Sequence, residues 1–204
     1  AIVRELQRQG YENIITRTHK ELNLCRQDEV EKFFAEEKPD YVFVAAAKVG
    51  GIVANEEALA DFMYDNMILE MNVIHSAWQN GCRKLEFLGS SCIYPRLSPQ
   101  PMREDYLLTG LLEPTNEGYA IGKITGLKLC EYYYKQYGCK FISAIPPNIY
   151  GPGDNFKSDD SHVISALIRK VHDAKERNMS NVEIWGTGNA RREFLYNEDL
   201  VDGI

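Results

Sequence analysis

The stretch Tyr41-Val42-Phe43-Val44-Ala45-Ala46 decides the fold class of this 204-residue chain. A continuous apolar run just after Pro39 is typical of a strand that is buried on both faces, as in a parallel sheet. Working outward, helices are predicted over 28–38, 56–80, 119–137 and 162–177, strands over 13–16, 85–89, 141–145 and 182–185, and a last helix with Asn197 as its N-cap. This alternation predicts right-handed βαβ units and an α/β fold with helices on both faces of a doubly wound parallel sheet.

Composition and charge exclude several classes of function. Lys and Arg number 23 against 30 Asp and Glu, a net charge of −7, which disfavours binding to nucleic acid. The longest wholly apolar run, 41–47, is far shorter than the roughly 20 residues of a membrane helix. The five cysteines include no C-x-x-C pair, which argues against a disulfide framework or a metal site and favours a reducing, cytoplasmic compartment.

Ligands of parallel α/β sheets bind beyond the carboxyl ends of the strands. In this sequence that rule selects four loops as candidate binding segments, at 17–23, 48–55, 90–94 and 148–156.

Two of the predicted elements carry residues suited to proton transfer. Tyr119 and Lys123 lie four residues apart on one helix face, where a cation favours the phenolate and lowers the pKa of the tyrosine. A tyrosine tuned in this way exchanges a proton with an alcohol or a ketone. Ser90 follows a predicted strand, where its hydroxyl is placed to hydrogen-bond a substrate oxygen.

Ser90 followed by Tyr119-x-x-x-Lys123 resembles the short-chain dehydrogenase/reductase arrangement, in particular its extended branch that modifies sugar nucleotides. Further sequence motifs narrow this resemblance from the extended branch to the GDP-L-fucose synthase family. They are Ala45-Ala46-Ala47-Lys48-Val49-Gly50-Gly51-Ile52, Gly89-Ser90-Ser91-Cys92-Ile93-Tyr94-Pro95, Glu113-Pro114-Thr115-Asn116-Glu117, Asn148-Ile149-Tyr150-Gly151-Pro152, Asp154-Asn155-Phe156, Ser161-His162-Val163-Ile164 and Arg192-Glu193-Phe194-Leu195.

The resemblance implies a Rossmann-like NADP-binding domain over 1–150 and the start of a smaller substrate-binding lobe over 151–204. The family's G-x-x-G-x-x-G fingerprint does not occur in residues 1–204. We therefore expect the first strand with its glycine motif, and the end of the lobe, to lie outside this segment. We also expect the strands at 13–16 and 84–89 to face a gap, and the segment alone to be inactive.

The family converts GDP-4-keto-6-deoxy-D-mannose to GDP-L-fucose by C3/C5 epimerisation followed by reduction of the C4 ketone with NADPH. The resemblance makes Cys92 the base and His162 the acid of epimerisation. In the reduction, Ser90 would hydrogen-bond the ketone oxygen and Tyr119 would protonate it. Lys123 would hold down the pKa of the tyrosine and bind the nicotinamide ribose.

The resemblance also implies which residues bind the cofactor. Arg17, His19 and Lys20 provide the positive charge that accommodates a ribose 2′-phosphate, so NADP is expected rather than NAD. The full expected set is Arg17, His19, Glu21, Asn23, Leu24, Leu88, Gly89, Ser90, Ser91, Lys123, Pro146, Pro147, Asn148, Ile149 and His162.

For the nucleotide-sugar substrate, the resemblance assigns Lys170, Trp185 and Arg192. It further implies a homodimer through the helices at 56–80 and 119–137, whose residues Met63, Tyr64, Ile68, Tyr132 and Tyr133 extend beyond one narrow apolar stripe.

Two alternatives remain open. One is another NAD(P)-dependent sugar-nucleotide epimerase or dehydratase; a dehydratase would want an acidic residue beside the serine, where Cys92 stands. The other is a catalytically silent nucleotide-binding relative, against which the presence of Ser90, Tyr119 and Lys123 argues.

Overall fold

The computed structural model describes residues 1–156, 161–184 and 186–204. Its helices are α1 (Ile2–Arg8), α2 (Gln27–Glu37), α3 (Ile52–Glu57), α4 (Leu59–Gln79), α5 (Glu117–Tyr137), α6 (Val163–Glu176) and α7 (Asn197–Gly203). Its strands are β1 (Tyr41–Val44), β2 (Lys84–Leu88), β3 (Phe141–Ala144), β4 (Asn148–Tyr150) and β5 (Phe194–Tyr196). Among the described helices, none is long and apolar enough to span a membrane.

Strands β1, β2 and β3 form a parallel sheet in that order, which confirms the predicted α/β class. Strand β2 is hydrogen-bonded on both sides, because Leu85 pairs with Val42 of β1 and with Phe141 of β3. The expectation that the strand at 84–89 faces a gap was therefore wrong. A second parallel pair, β4 with β5, was not predicted; it joins Asn148 to Phe194 in register.

The hydrophobic core lies on the face of this sheet that α4 and α5 cover. Leu85 and Phe87 of β2 are fully buried there. They belong to one cluster with residues of the flanking helices and strands, Val30, Phe34, Val44, Val73, Ile74, Ala77, Cys130, Tyr133 and Phe141. The predicted helix at 119–137 is confirmed, and it ends at Gly138, whose φ of 69° suits a residue without a side chain.

Among the described residues, the opposite face of the sheet is exposed on its outer strands. Tyr41 and Phe43 of β1 are 56% and 38% exposed and Ile142 of β3 is 45% exposed, whereas Glu86 of the central strand β2 is buried between them. The apolar run at 41–46 is therefore buried on one face only, contrary to the prediction. Alternation between Phe43 and the buried Val44 is hidden in a sequence that is apolar at every position.

Four other predictions differ in the structure. Residues 13–16 and 182–184 form no strand, since no strand among the described residues pairs with them; Trp185 lies outside the described residues. The helix predicted over 56–80 is broken at Ala58 (φ −135°, ψ 38°), which separates α3 from α4. Asn197 is the first residue of α7 and not its N-cap, because its side chain donates to the Pro152 carbonyl instead.

Close packing of α4 against α5 depends on glycines spaced four residues apart on α5. A Cβ at Gly118 would lie 2.4 Å from the Leu59 carbonyl oxygen, and one at Gly122 would lie 2.9 Å from the Asn66 Cβ. One turn further along, Gly126 has the same role opposite Glu70. Since a side chain at any of these positions would push the helices apart, the glycines fix how deeply α4 residues reach the end of β2.

Candidate active site

The carboxyl end of β2 leads directly into a short 3₁₀ turn that carries two of the expected catalytic residues. Ser90 is the N-cap of the turn at Ser91–Ile93, and its Oγ accepts a hydrogen bond from the Cys92 amide at 3.3 Å. Both side chains are half-buried. The turn therefore places Ser90 and Cys92 close together beyond the end of the strand.

Tyr119 lies in the first turn of α5 above the same strand end. Burial raises the pKa of the Tyr119 hydroxyl well above its ordinary value, and the nearby Cys92 and Glu70 charges add to this effect. A hydrogen bond with Ser90 acts in the opposite direction. The expected lowering of the Tyr119 pKa is therefore not met in this structure. The Tyr119 hydroxyl is protonated and forms a hydrogen bond with Ser90.

The contacts of Lys123 explain part of the difference between the expected and the observed pKa of Tyr119. Its Nζ lies 6.0 Å from the centre of the Tyr119 ring, but it is 3.0 Å from Oε1 of Glu70 and donates to the Leu88 carbonyl at 3.1 Å. The side chain is only 3% exposed. The positive charge thus lies under Tyr119 as predicted, and a buried carboxylate balances it.

Sequence reasoning did not identify Glu70 as part of this site. Two signals were available: a carboxylate inside the apolar run Met67-Ile68-Leu69-Glu70-Met71, and the glycine spacing on α5 that makes room for it. A charged residue on an apolar helix face is almost always paired when buried.

Asn116 is a second residue whose role was not predicted. It immediately precedes α5, and its Nδ2 donates a hydrogen bond to the Cys92 Sγ at 3.3 Å. Its Oδ1 is buried and has no hydrogen-bond partner among the described residues. Asn116 therefore supplies an N–H donor to the sulfur of Cys92.

His162 lies at the start of α6. It is the exposed N-cap of α6 and lines a cavity of about 400 Å³ with Arg4, Asn197 and the loop at 149–154. The hydrogen bonds and ion pairs described for Ser90, Cys92, Tyr119 and Lys123 do not include it. The structure therefore brings four of the five expected catalytic residues together.

The expected cofactor-binding segments after β2 and β3 are neighbours. Leu88 pairs with Ala144 in register, and the Gly89 amide donates to the Ala144 carbonyl at 2.8 Å. Ser91 follows on one segment; on the other, Pro146, Pro147, Asn148 and Ile149 follow Ala144, with Pro146 buried. A Cβ at Gly89 would lie 3.3 Å from the Ala144 carbonyl oxygen, so the missing side chain allows the ends of β2 and β3 to approach closely.

The basic turn expected at the cofactor phosphate is folded against α2. Arg17 forms an ion pair with Glu37 and lies 5.4 Å from the centre of the Phe33 ring. His19 and Lys20 are exposed in the following turn. The charge available to a phosphate is therefore that of two exposed residues and of an arginine with an acidic competitor.

The remaining residues of that segment have structural contacts. Glu21 accepts hydrogen bonds from the Thr18 amide and hydroxyl at 2.7 and 2.8 Å, which lower its pKa. Asn23 accepts from the Cys25 amide at 3.0 Å, and the Leu24 carbonyl accepts from Asn72 Nδ2 at 2.9 Å. These contacts fix the turn's shape.

Of the three expected substrate residues, two are described. Lys170 on α6 donates to the Glu183 carbonyl at 3.4 Å, and the exposed Arg192 donates to the Arg191 carbonyl at 2.8 Å. Trp185 lies outside the described residues.

Comparison with known proteins places the chain in a family. A model of the NAD dependent epimerase/dehydratase family matches residues 1–204. The chain is 55% identical over 202 residues to GDP-L-fucose synthase 1 of Arabidopsis thaliana, covering 99% of this chain and 62% of that protein. It is 54% identical over 201 residues to GDP-L-fucose synthase of Escherichia coli strain K12, covering 98% and 63%. The chain thus spans somewhat less than two thirds of these relatives.

Among solved structures, it is similar to MlghC, a GDP-mannoheptose C4 reductase from Campylobacter jejuni with NADP bound. The TM-score is 0.89 at 38% identity, covering 99% of this chain and 68% of that one. From its fold, the cluster at the end of β2 and the match over its whole length, the chain belongs to the NAD dependent epimerase/dehydratase family.

Proposed function

We propose that the protein is an NADPH-dependent GDP-L-fucose synthase, which epimerises GDP-4-keto-6-deoxy-D-mannose at C3 and C5 and then reduces its C4 ketone. The observation that carries this proposal is the joint placement of Ser90, Cys92, Tyr119 and Lys123 at the end of β2. A reductase needs the serine, tyrosine and lysine; the thiol beside them supplies a base that reduction alone does not require. The two named relatives with 54–55% identity support the same activity.

In the epimerisation, the C4 ketone makes the protons at C3 and C5 acidic through an enolate. Cys92 takes the proton as its thiolate, which the Asn116 side chain stabilises by donating to Sγ at 3.3 Å. His162 returns a proton to the opposite face of the sugar. Because it lies in the cavity beside the 149–154 loop, this role requires the substrate to reach from the β2 edge to that cavity.

In the reduction, bound NADPH supplies a hydride to C4. Ser90 donates a hydrogen bond to the ketone oxygen, and Tyr119 transfers its hydroxyl proton to that oxygen as the alcohol forms. The raised pKa of Tyr119 keeps this proton in place until the oxygen becomes basic.

We propose that the cofactor lies along Leu88–Ser91 and Pro146–Ile149, with its 2′-phosphate near Arg17, His19 and Lys20. The adjacent strand ends and the absence of a side chain at Gly89 support this path. Residues 1–150 would form the NADP-binding domain and 151–204 the start of the substrate lobe, where Lys170, Trp185 and Arg192 would bind the nucleotide sugar.

A homodimer through α4 and α5 and a cytoplasmic location complete the proposal. Tyr64 and Tyr132 support the interface, since both are more than half exposed on these helices. Tyr133, expected at the same surface, is 9% exposed and packs in the core. The five cysteines are free, as a reducing compartment would keep them.

The test is turnover by the full-length protein with NADPH and GDP-4-keto-6-deoxy-D-mannose, with the product identified by NMR. Formation of GDP-L-fucose supports the proposal. A product reduced at C4 but unchanged at C3 and C5 would make the protein a simple C4 reductase, and the absence of NADPH oxidation would exclude both.

A further inference from the structure

Glu70 is a fully buried carboxylate in the middle of α4, and its only described ion-pair partner is Lys123. The same Lys123 Nζ donates to the Leu88 carbonyl and lies 4.7 Å from the centre of the Phe87 ring. We propose that Glu70 is a positioning residue that fixes the Lys123 ammonium at the end of β2 and offsets its attraction for the ionised form of Tyr119. The inference rests on the proposed catalytic roles of Tyr119 and Lys123.

The surrounding packing is built for a carboxylate at this place. A Cβ on Gly126 would lie 2.6 Å from the Glu70 Oε2 and 2.5 Å from the Phe87 Cζ. The α5 backbone therefore comes as close to Glu70 as a residue without a side chain allows. The position of the carboxylate relative to Lys123 is set by two packed helices, with Oε1 3.0 Å from the Lys123 Nζ.

Burial of two opposite charges costs desolvation energy, and such pairs stabilise a fold weakly compared with apolar replacements. Three groups surround the Lys123 Nζ besides Glu70. The Leu88 carbonyl and the Phe87 ring belong to the end of β2, and the Tyr119 ring belongs to α5. The ion pair is thus joined to the proposed proton donor and lies within the site.

The electrostatic consequence concerns the proton on Tyr119. A lone ammonium under the ring would favour the phenolate, and a tyrosine that has already lost its proton cannot protonate a ketone. The negative charge of Glu70 raises the pKa of Tyr119 in addition to the larger effects of burial and Cys92. Glu70 therefore adds to the effects that keep Tyr119 protonated, while Lys123 remains available to stabilise the phenolate that forms once the proton has left.

The titratable groups around Glu70 and Tyr119 come from α5 and from the turn after β2. Lys123 and Cys130 of α5 face Glu70, and burial raises the pKa of Cys130 to about 12, so it stays neutral. Cys92, in the turn after β2, faces Tyr119. Burial raises the pKa of Glu70 itself to about 7, against the Lys123 charge, which lowers it. The pair therefore changes its charge near neutral pH.

The test uses full-length protein labelled with ζ-¹³C-tyrosine, in which Tyr119→Phe assigns the Tyr119 signal. Glu70→Gln keeps the size of the side chain and removes its charge. We expect the Tyr119 carbon to begin its shift toward phenolate at a pH about one unit lower than in the wild type. Glu86→Gln is the matched control, because Glu86 is also a buried carboxylate (5% exposed) on the adjoining strand and has no described contact with Lys123.

An unchanged Tyr119 titration in Glu70→Gln, or the same change in Glu86→Gln, would overturn the inference. If Glu70→Gln does not fold, the same titration is measured on Glu70→Asp, whose shorter side chain moves the carboxylate away from Lys123 by one methylene. A Tyr119 titration at lower pH than the wild type then supports the proposal, and one identical to the wild type overturns it.

A turnover assay separates this inference from the proposed function. In Glu70→Gln, the alkaline limb of the reduction rate should move to lower pH together with the NMR titration, while deuterium exchange at C3 and C5 continues at the wild-type rate. A purely structural role would slow both half-reactions equally. If the wild type does not reduce the substrate but the NMR titration moves as expected, the proposed function fails and the role of Glu70 stands.

Discussion

The Nδ2 of Asn116 donates a hydrogen bond to the Sγ of Cys92 at 3.3 Å, from the residue before α5 to the turn after β2. This contact ties the proposed base of the epimerisation to the helix that carries the proposed acid of the reduction. Each partner comes from a different element, so the contact forms only when α5 and β2 are packed together.

Asn116→Asp removes the donor and places a carboxylate beside the sulfur. We expect C3/C5 proton exchange to slow about tenfold at neutral pH, because the sulfur of the proposed base loses an N–H donor and gains a neighbouring carboxylate. Exchange is measured by NMR in deuterated water. Asn80→Asp, at a half-buried asparagine that donates to the Ser76 carbonyl, is the control, and an equal loss in both variants would argue against the Cys92 contact.

Tyr119→Phe removes the proposed proton donor without changing the packing of α5. We expect ketone reduction to fall by about 10²–10⁴, the usual contribution of a positioned acid, while exchange at C3 and C5 continues. NADPH absorbance measures the reduction. Tyr134→Phe is the control on the same helix, since Tyr134 is 61% exposed; reduction at the wild-type rate by Tyr119→Phe would remove this residue from the mechanism.

Gly126→Ala tests whether the glycines of α5 set the depth of Glu70. The added Cβ would lie 2.5 Å from the Phe87 Cζ and 2.6 Å from the Glu70 Oε2, so we expect the free energy of unfolding to fall by about 1–3 kcal/mol. Urea denaturation gives the change. Gly203→Ala on α7, where a Cβ meets nothing within 4 Å, should be nearly neutral, and equal stability of the two variants would contradict the packing argument.

The Glu70 carboxyl also makes stability depend on pH. Its pKa is about 7 in the folded chain and 4.5 in the unfolded reference, so the folded state holds the proton more tightly. The stability that this proton contributes is complete below pH 4.5 and is lost as the pH rises through about 7. The unfolding free energy of the wild type relative to Glu70→Gln should therefore decrease over that window in urea titrations; a flat or rising difference would show that Glu70 is ionised throughout.

Arg17 gives a prediction about cofactor choice. Because Glu37 already pairs with its guanidinium, Glu37→Gln should free that charge and tighten the binding of NADPH relative to NADH, whereas Arg17→Gln should weaken it. Fluorescence titration with both nucleotides measures the ratio. Arg26→Gln is a control at an exposed arginine paired with Asp28. A ratio that is unchanged in both Arg17→Gln and Glu37→Gln would place the 2′-phosphate elsewhere.

Much of the fold could be predicted because its strongest signals are local. The apolar run at 41–46, the helix at 119–137 and its terminal Gly138 follow from periodicity and backbone chemistry within a short window. Pairing could not be predicted in the same way. Residues 13–16 have a strand-like composition but no partner strand among the described residues, and the pairing of β4 with β5 joins residues 46 positions apart through contacts that no local pattern encodes.

Local sequence also predicts one part of the site and not the other. Recognisable sequence motifs contain Ser90, Cys92, Tyr119 and Lys123, and the structure brings these residues together at one strand end. Asn116 and Glu70 act through contacts across 24 and 53 residues, which only the packing of α4, α5 and β2 creates. The sequence predicted that a charge lies under Tyr119, but not that a buried carboxylate balances it.

The most direct test of the account is to locate solvent deuterium in the sugar when the full-length protein acts on GDP-4-keto-6-deoxy-D-mannose in deuterated water with NADPH. We predict that the wild type oxidises NADPH and places deuterium at C3 and C5, and that Cys92→Ser still binds NADPH but incorporates deuterium far more slowly. Deuterium incorporation by Cys92→Ser at the wild-type rate would contradict the assignment of Cys92 as the base and the account of the site built on it.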